Sequence, residues 1–245
     1  LAVLAASGVA SLATRQLFGF SFATWRFHLR GENIRGAHDI GWLREMTVSS
    51  LMRREVTIGQ FLDVAEESAY VTEADDRHAE RALRVASLKS ARYSIQQPLV
   101  IGAAIAGADA AQRAALIAFG HPVGMAFQLR DDVLGVFGDA ESTGKPSGDD
   151  LREGKRTVLV AYTREALSPG SRRLFDEMLG DPTLEPEQIA AMQQTIRETG
   201  ALERVEALIA DYTRTAERAL SGVPLGNRSV SELRDLARAA TVRTT

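Results

Sequence analysis

Residues 127 to 157 read FQLRDDVLGVFGDAESTGKPSGDDLREGKRT and gather acids and lysines around one turn-rich connection. Asp131 and Asp132 follow Phe127, Gln128 and Leu129 on an otherwise apolar helical run. Neighbours on a helix stand about 100° apart, so both carboxylates can line one side of a cleft. Two acids in such a setting are costly unless they have a partner. A hard divalent cation is one such partner, and Mg²⁺ takes oxygen ligands from carboxylates together with substrate phosphates. Lys145 and Lys155 flank a second acid pair, Asp149 and Asp150, and Lys89 is a third cation upstream. Ammonium groups are compact charges suited to phosphate oxygens. Acids, Mg²⁺ and lysines together describe a diphosphate site.

Each feature also has a plainer reading. A pair of adjacent acids is common as a solvated face or a helix cap, and a lysine in a Gly/Pro loop is usually just exposed. Asp75-Asp76 is most simply charge near a helix N-terminus. Ser142-Thr143-Gly144-Lys145 fails as a P-loop, because Pro146 follows the lysine and no strand precedes it. His28, His38, His78 and His121 lack metal-ligand spacing, and no Ser/His/Asp order stands out. The absence of cysteine excludes disulfides and thiolate metal sites.

The elements that must carry these side chains are helices. With 245 residues, 45% of them hydrophobic, the chain can bury a sizeable core. A net charge of -3 argues against a general nucleic-acid binder. No apolar run is long enough to span a bilayer, and the apolar start LAVLAASGVASLA lacks the basic flank of a signal peptide. Leu51, Ile58, Leu62 and Ala65 form one stripe of a helix over 44 to 69. Thr72 with Asp75 opens a helix running towards Lys89. Pro98 lies near the start of an apolar stretch ending around Gly107. Asp109 caps a long helix, 110 to 137, with a kink expected at Gly120 and Pro122. Beyond the charged loop, helices are expected over 157 to 167, 187 to 198, 201 to 220 and 231 to 240, with turns at Ser168-Pro169-Gly170 and Asp181-Pro182. The segment Phe18 to Ile40 lacks clean periodicity and reads as loop with short helical pieces. The expectation is one all-α domain over residues 1 to 245.

FQLRDDVLGVFGD followed by TGKPSGDDLREGKRT closely resembles the second aspartate-rich region of the trans-isoprenyl diphosphate synthases, the polyprenyl synthetases. SLKSARYSIQQPLVIGAAIAGA, from Ser87, resembles the family's lysine motif. REVTIGQFLDV, residues 54 to 64, resembles its Gly-Gln-x-x-Asp helix, and TGALERVEALIADYTRTAERAL has the look of its C-terminal part. The four segments stand in register over roughly residues 44 to 240.

That resemblance implies a helical bundle of the isoprenoid synthase type and a prenyltransferase of the geranylgeranyl or farnesyl diphosphate synthase kind. Such an enzyme condenses isopentenyl diphosphate with an allylic diphosphate. Asp131, Asp132 and Asp150 would reach Mg²⁺, about three ions shared with substrate phosphates. Gln128 would support that cluster. Lys89 with Ser90, Lys145 and Lys155 would hold diphosphate oxygens, and Gln60, Asp63 and Phe127 would line the cleft. Lys89, Asp131, Asp132 and Lys145 are the expected catalytic set. A homodimer, a cytoplasmic location, no nucleic-acid partner and no stable membrane insertion complete the expectation.

Two departures qualify the match. Gly135 stands where many members carry a third acid, which reads as a weakened ligand set. The family's first aspartate-rich motif and its Gly-Lys-Arg segment, both due before residue 44, are not in this sequence. They are expected in a part of the protein that the sequence lacks. The alternative reading is a non-catalytic diphosphate-binding subunit that regulates an active partner.

Overall fold

The computed structural model describes residues 57–64, 77–139 and 146–241. All of them fall within one compact unit, Arg54–Thr245. After a helical segment over 57–64 come α1 (His78–Ala86), a π-helical segment (Ser87–Gln96), α2 (Gln97–Ile105) and α3 (Ala110–Phe137). A short α4 (Asp149–Arg152) then leads to α5 (Val158–Ala166), α6 (Pro169–Met178), α7 (Pro186–Glu198), α8 (Ala201–Ala219) and α9 (Asn227–Thr241). No strand occurs among the described residues, so the all-α expectation holds for them. None of the described helices is long and apolar enough to cross a membrane.

The long helix α3 is the axis of the bundle. It starts at a reciprocal capping box: Asp109 Oδ1 accepts the Gln112 N–H at 2.8 Å, and Gln112 Oε1 accepts the Asp109 N–H at 3.0 Å. Pro122 lies inside it and removes one backbone donor, yet the element continues unbroken for 28 residues. Its principal neighbours are α8 and the π-helical segment. Gly124 makes the second contact possible, because a Cβ there would stand 2.5 Å from Ala91 Cα. The two backbones therefore meet with no side chain between them.

Two clusters fill the core. Leu129, Val133 and Val136 of α3 pack with Leu151, Val158, Leu159, Phe175, Met192, Ile196, Val205 and Ile209. Phe119 and Val123 pack with Ala216, Leu220 and Ala237. Burying a Leu, Ile or Phe side chain of this kind contributes about 1.5–3 kcal/mol each. On α8, Val205 and Ile209 are buried, one helical turn apart, with Leu202, Leu208 and Tyr212 half-buried beside them.

The structure corrects four local expectations. The helix expected to stop near Lys89 runs on through the π-helical segment into α2. Ser168-Pro169-Gly170 is not only a turn: Ser168 caps α6, with Pro169 in its first turn. A helical turn, α4, forms inside the charged connection. The last helix starts four residues earlier than expected, at Asn227. The stripe over 44 to 56, the Thr72–Asp76 cap and the Phe18–Ile40 segment lie outside the described residues.

Candidate active site

The acid pair is presented by the C-terminal part of α3, and several bonds fix its orientation. Arg130 donates to both carboxylate oxygens of Glu206 on α8, at 2.6 and 2.7 Å, and to the Thr241 carbonyl at the end of α9 at 3.2 Å. One residue on, Asp131 is exposed while Asp132 is only 8% exposed. Both line a cavity of about 200 Å³ with Asp63, Ala82, Val85, Ala86, Lys89, Ser90, Gln128, Lys155, Arg156 and Thr157. Five separate elements thus converge on one pocket. Polar groups face each other across it, and Ala82, Val85 and Ala86 form an apolar wall.

A π-helix winds more loosely than an α-helix, is rare, and is frequently found at functional sites. Here it carries Lys89 and Ser90. Both line the cavity from the wall that faces α3. Lys89 Nζ lies 2.5 Å from Asp63 Oδ2, which belongs to the helical segment over 57–64. Ser90 Oγ donates to Gln128 Oε1, and Gln128 Nε2 donates to Asp132 Oδ1 at 2.8 Å. The result is a relay of three side chains that holds the Asp132 carboxylate in place from two elements.

Electrostatics mark the same spot. Burial raises the pKa of Asp132 from 3.8 to about 7, against the Gln128 hydrogen bond, and the neighbouring charges of Asp150 and Asp131 push it further up. A carboxylate that is costly to ionise where it stands is one that a bound cation would relieve. Asp150 is also raised, first by burial, although its bond to Lys155 works in the other direction. Lys155 is pushed up overall: burial acts to lower it, but the bond to Asp150 and the charges of Asp150 and Glu153 outweigh that.

The residues expected to form the site are distributed as follows. Asp63, Lys89, Ser90, Gln128, Asp131, Asp132 and Lys155 come together on the cavity. Asp150 does not line it; the residue is 4% exposed, and its Oδ1 accepts Lys155 Nζ at 2.5 Å. Gln60 is exposed and Phe127 is half-buried, and neither is among the lining residues. Lys145 lies outside the described residues. Arg156 and Thr157 line the cavity without having been singled out from sequence. Thr157 gave a signal: it ends the charged segment and caps α5, its Oγ1 accepting the Val160 N–H at 3.3 Å.

Mg²⁺ suits this donor set. Among the described residues no three Asp, Glu, His or Cys side chains stand close enough to enclose a cation by themselves. The cavity offers two adjacent carboxylates and an amide, all oxygen donors, beside two lysines. Mg²⁺ is commonly held this way, by one or two carboxylates, with waters and substrate phosphates completing its shell. Asp131 and Asp132 are the residues that would hold it.

Comparisons with known proteins identify the family. The polyprenyl synthetase family model matches residues 27–196. The geranylfarnesyl diphosphate synthase of Aeropyrum pernix is 33% identical over 193 residues, which cover 79% of this chain and 58% of that protein. The (2E,6E)-farnesyl diphosphate synthase of Mycobacterium bovis is 34% identical over 188 residues, 75% of this chain and 50% of that one. The chain thus spans between half and three-fifths of the length of these curated relatives. Among solved structures, a geranylgeranyl pyrophosphate synthase from Corynebacterium glutamicum, complexed with isoprenyl diphosphate and magnesium, is 36% identical with a TM-score of 0.74. That match covers 96% of this chain and 69% of the other. On the family model and the identity to these relatives, the chain belongs to the polyprenyl synthetase family.

Proposed function

We propose that this protein is a trans-prenyltransferase that condenses isopentenyl diphosphate with an allylic diphosphate to give a longer prenyl diphosphate. One observation carries the reading: Asp131, Asp132, Lys89 and Lys155 line a single cavity backed by an apolar wall. Lys89 and Lys155 hold the diphosphate oxygens of the allylic substrate, and Lys145 is assigned to the same task by the motif it occupies. Asp131 and Asp132 hold Mg²⁺, about three ions being expected with the substrate phosphates. When bound, Mg²⁺ supplies positive charge against the departing diphosphate.

The rest is the work of the chain's own side chains. Ionisation of the allylic carbon–oxygen bond places two electrons and growing negative charge on the diphosphate. Lys89 and Lys155, held in place by Asp63 and Asp150, stabilise that charge without reorganising. Ser90 and Gln128 keep Asp132 oriented while this happens. The apolar faces of Ala82, Val85 and Ala86 exclude water from the resulting carbocation, so that the isopentenyl double bond is the nucleophile that reaches it. The proton then lost goes to the released diphosphate, so no protein nucleophile is needed. A homodimer and a cytoplasmic location belong to the same reading and are supported by family membership alone.

The test is chain growth by the full-length protein from labelled isopentenyl diphosphate and allylic primers of increasing length. Mg²⁺-dependent elongation is expected. Its absence with every primer, in folded protein that retains diphosphate binding, would refute the enzymatic reading.

A further inference from the structure

Asp150 occupies the space that a side chain at position 135 would need. A Cβ built on Gly135 would stand 2.2 Å from Asp150 Oδ2 and 2.3 Å from its Cγ. Such a contact is impossible for any residue with a side chain unless the acid moves. Asp150 has little room to move: it is 4% exposed in α4, and Leu151 beside it is 0% exposed in the core. Arg152 ties the same turn to the Leu184 carbonyl, at 3.2 and 3.3 Å, and Gly148 enters it in the left-handed region at φ 75°.

The other carboxylate oxygen, Oδ1, would stand 2.8 Å from the same Cβ. Oδ1 accepts Lys155 Nζ at 2.5 Å, and Lys155, unlike Asp150, lines the cavity. A free lysine has several rotatable bonds and loses rotamer entropy when it is fixed. An acid seated against bare helix backbone, bonded to that lysine, meets the cost in advance. The same geometry draws Asp150 behind the pocket rather than into it.

Resting on the diphosphate reading of the cavity, we propose that Gly135 and Asp150 form a seat that aims Lys155 at the substrate diphosphate. Asp150 is a positioning residue acting through Lys155, and Gly135 is the absence of side chain that admits it. The bare position on α3 is then part of the site's construction, not a missing ligand.

Titration calorimetry with inorganic diphosphate, on full-length protein without Mg²⁺, separates this from the alternatives. Asp150→Ala removes a negative charge beside an anion site, so electrostatics alone would tighten binding. The seat predicts the reverse, a loss of about 10- to 100-fold, the usual effect of removing a supporting partner. Gly135→Ala leaves the charge unchanged, and it too should weaken binding by displacing the carboxylate. The exchange Gly135→Asp with Asp150→Gly returns a carboxylate to the same space and should recover part of the loss. In parallel, the Lys155 ammonium resonance should be protected from solvent exchange in the wild type and lose that protection in Asp150→Ala. Unchanged or tighter diphosphate binding by folded Asp150→Ala would overturn the proposal. So would Asp150→Ala protein that binds diphosphate normally in this assay but loses affinity for Mg²⁺ in a separate titration with the ion, since that outcome assigns Asp150 to the metal. Failure of the wild type to bind diphosphate would sink the functional reading, and this proposal with it. Binding that survives Asp150→Ala unchanged sinks the seat alone.

Discussion

Asp132→Asn should make the metal-free protein more stable at neutral pH while destroying its capacity to bind Mg²⁺ with diphosphate. The reasoning starts from a carboxyl group raised from 3.8 to about 7 in the folded state, chiefly by burial. An acid whose folded pKa lies above its unfolded value binds more protons when folded, so folding loses stability as pH rises. The penalty is absent below about pH 4, grows through the window between the two values, and is complete above about pH 7. A rise from 3.8 to about 7 corresponds to an upper bound of about 4 kcal/mol. Asn has nearly the same shape and its Oδ1 can still accept the Gln128 amide, so the relay from Ser90 survives. If half the bound is realised, about 2 kcal/mol, the midpoint of thermal unfolding should rise by about 4–8 °C at pH 8. The assay is thermal unfolding of both proteins from pH 4 to pH 8 without divalent ions, followed by the same series with Mg²⁺ and diphosphate. The gap between them should open with rising pH, and in the second series only the wild type should gain stability. An Asn variant with no gain at pH 8, or one whose gain is the same at pH 4, would refute the account of Asp132 as a carboxylate held at a cost for its ligand.

Three further outcomes follow from the geometry. Arg130→Met breaks the bidentate bond to Glu206 that ties α3 to α8 beside the acid pair, and should cost about 1.5–3 kcal/mol in urea unfolding. Asp176→Ala removes the bidentate partner of Arg164, whose side chain is 6% exposed; about 3 kcal/mol of destabilisation, measured by urea titration, is expected for breaking such a buried pair. Gly124→Val inserts a side chain where Ala91 Cα would lie 2.5 Å from a Cβ. It should cost at least about 1–3 kcal/mol of stability and lower elongation activity more than Gly102→Ala, since Ala91 is adjacent to Ser90 while nothing lies within 4 Å of a Cβ at 102.

Much of the helical order was legible in sequence because local rules decide it. Asp109 with Gln112, and Thr157 before an apolar run, are capping signals that act within four residues. The 3.6-residue stripe on α8 needs only a core to face. The acid pair and its lysines were likewise recognisable as residue types suited to Mg²⁺ and diphosphate. The run from Lys89 to Gln96 was not legible as it stands, because nothing local distinguishes a π-helical turn from an α-helical one. There Ala91 comes up against Gly124, 33 residues further along the chain, and that close approach is a matter of packing, not of local sequence.

What the sequence determined by itself was the chemistry available: two adjacent carboxylates, three lysines, no thiolate, and helices to carry them. Only the tertiary structure decided which of these groups share a space. Lys89, Lys155 and Asp132 meet because α3, the π-helical segment and the start of α5 pack around one cavity, and pairing between such distant residues is a property of packing, not of spacing. The same holds for Gly135. In the sequence it is an acid fewer; in the fold it is the empty place on α3 against which Asp150 comes to rest, because a carboxylate can approach a helix so closely only where no Cβ stands in its way.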